Sequence, residues 1–517
     1  MSRVWSPQQE VIFQWFERRS PHVQNLIVRA RAGTGKTTVL IEGVKRAPEK
    51  SILICAFSKI IQEELQRRIP KDKLGIVAQT LHSVGFQCIR NFRDRIKVEF
   101  GSARADDLAA RVCGKYAPDS VIKLVSKLHT KGREIAPHAR VLGDLTEIAY
   151  NFDCEPDDNW AASGFDLEYI ELRALEAMEL ASNVKAGDTI DGSDMIFLPV
   201  RNHWLTKKYD MVVVDEAQDM TTAQLEIAQG VLKTGGRMCV IGDDRQAIFG
   251  FRGADSDSLD RLKRELKAGE LGLTVTYRCG VSIVREAQRL VPDFEAGPDN
   301  HPGEVNDLQF VKLVDSVGPG DFVLSRLNGP LVSLAMKFLM KGKRTRIAGR
   351  DIGKGLVALV RKFRATSVPD FLRKVGAWED KEVARLEVQL SKLPTNKQAP
   401  VTSKIEGIQD KANMLISLAE GAKNIQGIQD RIESLFSDDG LGAEGMITCS
   451  SVHKAKGLEA DRVFVLVDTL RNYNLEEKNI EYVALTRAKK SLFLVTHKLS
   501  DDQIRDIAEM RKTGFPT

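Results

Sequence analysis

Residues 25 to 40 read NLIVRARAGTGKTTVL: a short apolar run, a turn holding two glycines, and the start of a helix. No other stretch limits the possible folds so sharply. Gly33 and Gly35 allow the backbone to wrap closely around a ligand without Cβ clashes. The segment Ala30, Arg31, Ala32, Gly33, Thr34, Gly35, Lys36, Thr37 matches the phosphate-cradling pattern G-x-x-x-x-G-K-[ST], with alanine for the first glycine. In such a turn the backbone N–H groups and the helix N-terminus present partial positive charge. Lys36 reaches the β- and γ-phosphates of a nucleotide, and the Thr37 hydroxyl can ligate Mg²⁺. Ala32, Gly33, Thr34, Gly35, Lys36, Thr37 and Thr38 are therefore the expected ATP contacts.

A second stretch, MVVVDEAQDM at 211 to 220, carries an apolar strand straight into Asp215, Glu216, Gln218 and Asp219. Packing alone gives no reason for a buried strand to end in carboxylates. In P-loop NTPases a second strand ends in an Asp that holds Mg²⁺, which is the role expected of Asp215. Glu216 can then act as general base toward the attacking water.

Strand-like runs cluster in two regions. Residues 24 to 89 alternate strand and helix, and strands return at DMVVVDE, RMCVIGD and LGLTVTY. A further α/β stretch holds DFVLSRL and TRIAG, and the last strands are MITCSSVH, DRVFVLV and SLFLVTH. Between them, 90 to 200 and 351 to 444 read as helical. Alternating β and α implies parallel sheets covered by helices. The expected fold is thus α/β: two cores with parallel sheets, each interrupted by a mainly helical insertion, and RecA-like P-loop cores by the resemblance that follows. The first core is expected at 1–89 and 200–270, with its insertion at 90–199. The second is expected at 271–350 and 445–517, with a reduced insertion at 351–444. The 517 residues suffice for several domains. The seven scattered cysteines exclude a disulfide framework or zinc ribbon and suggest a reducing compartment. Neither a signal peptide nor an apolar span long enough to cross a membrane is evident. The net charge of +5 is compatible with a polyanionic partner without requiring one.

With DEAQD and the cradle in place, the chain resembles the UvrD/Rep family of superfamily 1 DNA helicases over both α/β cores. By that resemblance Gln9, in WSPQQ, reads adenine, and AFSKIIQEEL and QTLHSVGF touch single-stranded DNA through Phe57, Thr80 and His82. In VIGDDRQAIFGFRGA, Gln246 senses the γ-phosphate, while Phe249, Phe251 and Arg252 meet DNA. TYRCG supplies Tyr277 to stack on adenine and Arg278 to contact the γ-phosphate. SSVHKAKGLEADRVFVL puts His453 near DNA and Glu459 near the ribose, and EYVALTRAKKSLFLV supplies Arg487 as arginine finger. For His82 and His453 a purely structural role competes. The resemblance implies an ATP- and Mg²⁺-dependent enzyme moving 3′ to 5′ on single-stranded DNA and acting at duplex junctions. It implies a cytoplasmic setting, nucleoid-associated if bacterial or phage-encoded, no membrane, and no particular protein partner.

Three features depart from the family pattern. Ser58-Lys59 replaces the commoner Thr-Asn; the second insertion is short; and DTLRNYNLEEKN (468 to 479), where larger members carry a duplex-parting hairpin, is brief. Little chain follows the last motif, so no C-terminal nuclease is expected. These departures leave open a translocase that displaces proteins and unwinds poorly. A relic scaffold would require a broken Lys36, Asp215, Glu216 or Arg487, and all four are present. Residues 341 to 374 carry eleven Lys and Arg against two Asp, a pattern read as a solvated helix face with a duplex-phosphate contact as the competing reading.

Overall fold

The computed structural model describes residues 4–19, 23–70, 73, 75–152, 154–156, 158–248, 258–392, 398–436, 445–471 and 474–497. The chain divides into two compact units, Met1–Thr274 and Val275–Thr517.

The first unit begins α1 (Pro7–Phe16), β1 (Leu26–Ala30), α2 (Lys36–Arg46), β2 (Ile52–Ala56), α3 (Lys59–Arg68), β3 (Ile76–Thr80) and α4 (Leu81–Phe92). The insertion follows, with the two-residue strands β4 (Lys97–Val98) and β5 (Thr189–Ile190) around α5 (Ala103–Cys113), α6 (Asp119–Ile135), α7 (Thr146–Asn151), α8 (Asp158–Ala162) and α9 (Leu167–Ser182). It closes with α10 (Asp194–Arg201). The chain then returns through β6 (Tyr209–Val214), α11 (Thr222–Gly230), β7 (Leu232–Gly242), α12 (Ser258–Glu265) and β8 (Gly269–Leu273).

The six long strands form one parallel sheet in the order β3-β2-β6-β7-β1-β8. Its central strands are near-continuous apolar runs because helices cover both faces. Side chains alternate between those faces. Leu26 and Val28 join Ile12, Phe16, Leu40 and Val44 on one side, whereas Ile27 joins Val84, Ile196, Leu225 and Val240 on the other. The insertion has its own core, including Leu108, Val125, Leu128, Ile170 and Met178. Beside that core Arg133 is fully buried and pairs with Asp191 at 2.9 Å and Asp194 at 2.6 Å. α10 belongs to both cores: Phe197 packs into the insertion and Ile196 under the sheet.

The second unit runs β9 (Val275–Thr276), α13 (Val281–Gln288), β10 (Glu295–Ala296), β11 (Glu304–Gln309), α14 (Phe310–Ser316), β12 (Phe322–Ser325), α15 (Gly329–Met340) and β13 (Thr345–Ile347). Four helices follow: α16 (Arg350–Phe363), α17 (Val368–Lys392), α18 (Ala399–Ala419) and α19 (Ile425–Leu435). The end is β14 (Ile447–Ser451), α20 (Val452–Ala455), β15 (Ala460–Leu466), α21 (Leu475–Leu485) and β16 (Ala488–Thr496). Its sheet, again parallel, has the order β11-β16-β15-β12-β14-β13.

Two expectations shift. The stretch LGLTVTY is split: β8 pairs with β1, so the first unit ends at Thr274 rather than 270, while β9 pairs with β10 in the second unit. The edge strand β11 escaped the sequence reading because EVNDLQ is polar. It pairs only with β16, so half its surface stays wet. Among the described residues no helix is long and apolar enough to cross a membrane.

The second insertion contributes to the same apolar cluster as its sheet. Phe371, Leu415, Ile432 and Phe436 pack in one cluster with Val323, Ile347, Cys449 and Phe464. A polar tie adds to this. The carboxylate of Asp410, on α18, accepts the backbone N–H of Asn328 at 2.9 Å and of Gly329 at 2.6 Å. It thereby satisfies two of the orphan donors at the start of α15. Residue 329 has little room for a side chain, since a Cβ there would stand 3.0 Å from Asp410 Oδ1 and 3.2 Å from Asn413 Cβ. Asp410→Ala is expected to lower the stability of the second unit by about 1–2 kcal/mol, the usual scale for a lost cap. Denaturant titration of the full chain measures it; an unchanged midpoint would show that the apolar core alone fixes the insertion.

Candidate active site

In the first unit, register brings the chemistry to one edge. Arg29 lies beside Gly242 across β1 and β7, and Val214 beside Val240 across β6 and β7. The strands therefore release the cradle, Asp215 and Asp243 at the same carboxyl-terminal edge, where open α/β sheets bind ligands. Gly33 and Gly35 adopt φ of +70° and +83°, conformations that favour glycine. Gly35 sits at the N-cap of α2, and Thr34 Oγ1 donates to the Arg31 carbonyl at 2.9 Å, closing the turn on itself. Ala32 is buried, and Thr37 and Thr38 are half-buried at the helix start. The Thr38 hydroxyl accepts from Arg68 at 3.1 Å.

Gln9 is buried on α1, with its Nε2 3.9 Å from the position of a Cβ on Gly35. Its Oε1 accepts the Ser6 N–H at 3.0 Å as part of a capping box. The cap that starts α1 thus also places Gln9 beside the cradle.

Lys36 Nζ stands 3.5 Å from Glu216 Oε1. Asp215 is buried and accepts the Glu216 N–H at 3.0 Å. Burial first, and the Glu216 charge second, push its carboxyl up to about 7 against the opposing pull of Lys36. Glu216 itself has φ +52°, an uncommon conformation for a residue with a side chain. Its Oε2 accepts from Gln218 Nε2 at 2.6 Å, and Gln218 Oε1 accepts the Asp243 N–H at 3.1 Å. Asp243 Oδ2 in turn accepts from Gln246 Nε2 at 2.6 Å. The base candidate and the phosphate-sensor candidate are therefore joined by one chain of hydrogen bonds. A Cβ on Gly242 would come within 2.7 Å of Gln218 Oε1, which explains the glycine before Asp243.

The donors suit a small divalent cation. Asp215 is a buried carboxyl whose charge is opposed by burial and by Glu216, a penalty that a cation removes. Among the described residues no group of three or more His, Cys, Asp or Glu could hold a metal. Mg²⁺ typically takes one or two carboxylates together with water and substrate phosphates, a donor set that a buried carboxyl beside a phosphate cradle would fit.

The second unit gathers a different set. Arg278 Nε pairs with Glu459 Oε2 at 2.6 Å, and Lys489 approaches Glu459 Oε1 at 3.7 Å. Arg278 and Glu459, assigned separately to phosphate and ribose, are thus bonded to each other. Tyr277 is 47% exposed beside them. Arg487 is buried and donates to neutral oxygens: the Val483 carbonyl at 2.9 Å, the Leu458 carbonyl at 3.2 Å and Thr486 Oγ1 at 3.1 Å. Burial, then repulsion from Arg278, pushes its guanidinium down to about 10.

The expected DNA contacts are more dispersed. Phe57 is half-buried just beyond β2. Thr80 Oγ1 caps α4 by accepting the Ser83 N–H at 3.3 Å, and His82 is half-buried in the first turn, its basicity lowered by burial. His453 is half-buried on α20. Phe249, Phe251 and Arg252 lie outside the described residues. Within 341 to 374, Lys343 donates to the Val314 and Val317 carbonyls, both at 2.6 Å, and Arg346 is buried. Arg361, Lys362 and Arg364 are exposed at the end of α16.

The sequence reading missed Arg31, Asp243 and Asp244 and gave Gln218 no role of its own. The signal was there in GDD, a second strand ending in carboxylates next to a motif already singled out.

Comparison with known proteins identifies relatives of the whole chain. The UvrD/REP helicase N-terminal domain matches residues 14–267, and the UvrD-like helicase C-terminal domain matches 446–495. F-box DNA helicase protein 1 of Schizosaccharomyces pombe is 25% identical over 91% of this chain and 55% of its own length. F-box DNA helicase 1 of Gallus gallus is 25% identical over 90% of this chain and 47% of its own. The chain thus spans about half the length of these two relatives. A probable DNA helicase II homolog of Mycoplasma pneumoniae is 23% identical over 91% of this chain and 81% of its own. Two domains of one family, matched in order over more than half of the residues and carrying Lys36, Asp215, Glu216 and Arg487 within them, place this chain in the UvrD/Rep family of helicases.

Proposed function

We propose that this protein is an ATP-dependent DNA helicase or translocase that hydrolyses ATP while moving 3′ to 5′ on single-stranded DNA and separating duplex. The observation that carries the reading is the convergence of Lys36, Asp215, Glu216 and the Gln218–Asp243–Gln246 chain at one sheet edge. Lys36 neutralises charge on the β- and γ-phosphates. Glu216 takes the proton of the attacking water, and Gln218 holds its far oxygen so that the other stays toward Lys36. Gln246 contacts the γ-phosphate and Gln9 reads the adenine; the family resemblance gives exposed Tyr277 a role in base stacking. Thr37 and Asp215 would hold Mg²⁺, which when bound supplies positive charge to the phosphate oxygens. Arg487, donating to neutral oxygens in a buried setting, suits stabilisation of charge developing on the transferred phosphoryl group. Single-stranded DNA is gripped through Phe57, Thr80, His82, His453 and the segment holding Phe249, Phe251 and Arg252. Base stacking there tolerates any sequence.

A specific observation favours the second reading, a translocase that displaces proteins with little unwinding. Between β15 and α21 the described residues form only a single 3₁₀ turn, Val467–Thr469, with no hairpin strands to act as a wedge.

The deciding experiment measures ATP turnover with and without single-stranded DNA, strand separation on 3′- and 5′-tailed duplexes, and removal of a protein block from a single strand. DNA-stimulated turnover with 3′-tailed unwinding supports the first reading, and block removal without unwinding supports the second. Absence of DNA stimulation sinks both. Glu216→Gln should retain nucleotide binding while turnover falls by ~10²–10⁴, the usual loss for a positioned base; collapse of nucleotide affinity instead would make Glu216 a metal ligand. Arg487→Ala should reduce kcat and leave DNA affinity unchanged, because a transition-state contact contributes little to ground-state binding. Lost DNA affinity with normal basal turnover would move Arg487 to the DNA track.

A further inference from the structure

Arg31 lies inside the phosphate cradle, and its side chain turns into the protein, away from solvent. Its backbone is fixed on both sides: the N–H donates to the Leu273 carbonyl at 2.8 Å, and the carbonyl accepts from Thr34. Its Nη1 donates to Asp243 Oδ1 at 3.2 Å and to Asp244 Oδ1 at 2.8 Å. The β1–β7 register makes this meeting unavoidable, since residues 30 and 31 leave the sheet beside 243 and 244.

Asp243 is the junction of the site. Its carboxylate takes Arg31, the Arg245 N–H at 3.1 Å and the Gln246 amide at 2.6 Å, while its own N–H reaches Gln218 and so Glu216. Asp244 is anchored independently by Arg29 at 3.2 Å, which also holds Asp260 at 2.7 Å and Glu270 at 3.1 Å. Removing Arg31 leaves two adjacent carboxylates in a buried setting with one counter-charge fewer, a costly arrangement relieved only by local rearrangement. With Gln246 Nε2 bonded to Asp243, the amide cannot turn over without breaking that bond.

We propose that Arg31 is a positioning residue that locks Asp243, and through it Gln246, to the phosphate cradle, so that recognition of the terminal phosphate is coupled to hydrolysis. The proposal rests on the ATPase reading above. It assigns a function to the inward-turned side chain of the cradle.

The test is a double-mutant cycle on the full chain, read as DNA-stimulated ATP turnover: wild type, Arg31→Met, Gln246→Ala and the double variant, with Arg31→Lys and Lys36→Ala alongside. Arg31→Met should lower kcat by about 10- to 100-fold, the scale of a small misplacement in a catalytic array. KM for ATP should change by less than about threefold, since ground-state binding is untouched. If Arg31 acts through Gln246, the double variant will be no slower than Gln246→Ala alone. Arg31→Lys should recover part of the rate, because an ammonium keeps the charge but not the planar group whose Nη1 serves both aspartates. Multiplying losses in the double variant, or a loss confined to KM, overturns the proposal. If Arg31→Met loses its cooperative thermal transition, the cycle run with Arg31→Lys decides by the same criteria. Near-normal turnover in Lys36→Ala would instead overturn the assignment of the cradle on which the ATPase reading rests; abolished turnover there, with independent losses at Arg31 and Gln246, overturns only this inference.

Discussion

β7 lies between β1 and β6 and pairs in parallel with both, and the first unit's chemistry depends on that arrangement. Each strand alone ends in residues that gain nothing from burial: a glycine turn, an acidic pair, a second acidic pair. Pairing puts the three ends side by side. The apolar side chains beneath, from Val28, Val213 and Ile241 on one face and Ile27, Val214 and Val240 on the other, provide the stability that keeps them there. The carboxylates of Asp215 and Asp243 are both buried and both disfavoured as anions by that burial. A site of this kind sets stability against readiness to bind charge, a conflict expected where a fold carries a function.

The two units resolve opposite electrostatic problems. In the first, buried acid is in excess around Lys36, and Arg31 and Arg29 restrain only part of it. In the second, Arg487 sits buried near Arg278 with neutral oxygens as its bonded partners, while Glu459 is taken by Arg278 and Lys489.

The insertions differ in kind as well as in length. The first folds around its own core with a buried ion cluster and touches the sheet chiefly through α10. The second packs Phe371, Leu415, Ile432 and Phe436 into the cluster of its sheet, and Asp410 ties it directly to the start of α15. A force on α18 therefore reaches the strands of the second sheet through packed side chains rather than through a linker.

The sequence by itself determined the two parallel α/β cores, the cradle from Gly33 to Thr37 and the acidic strand end at Asp215. Each of these rests on local chemistry: glycine for positive φ, apolar runs for buried strands, a carboxylate where no core would choose one. Tertiary structure decided what local chemistry leaves undetermined. It gave β8 to the first sheet, because pairing with β1 buries a strand that sequence alone could assign to either unit. It recruited polar EVNDLQ as an edge strand, because β16 offered an unpaired edge. It also turned Arg31 inward and joined Glu216 to Gln246 through Gln218 and Asp243. The Arg31–Asp243 and Gln218–Asp243 contacts link residues far apart in the chain, and only strand register brings them within hydrogen-bond reach.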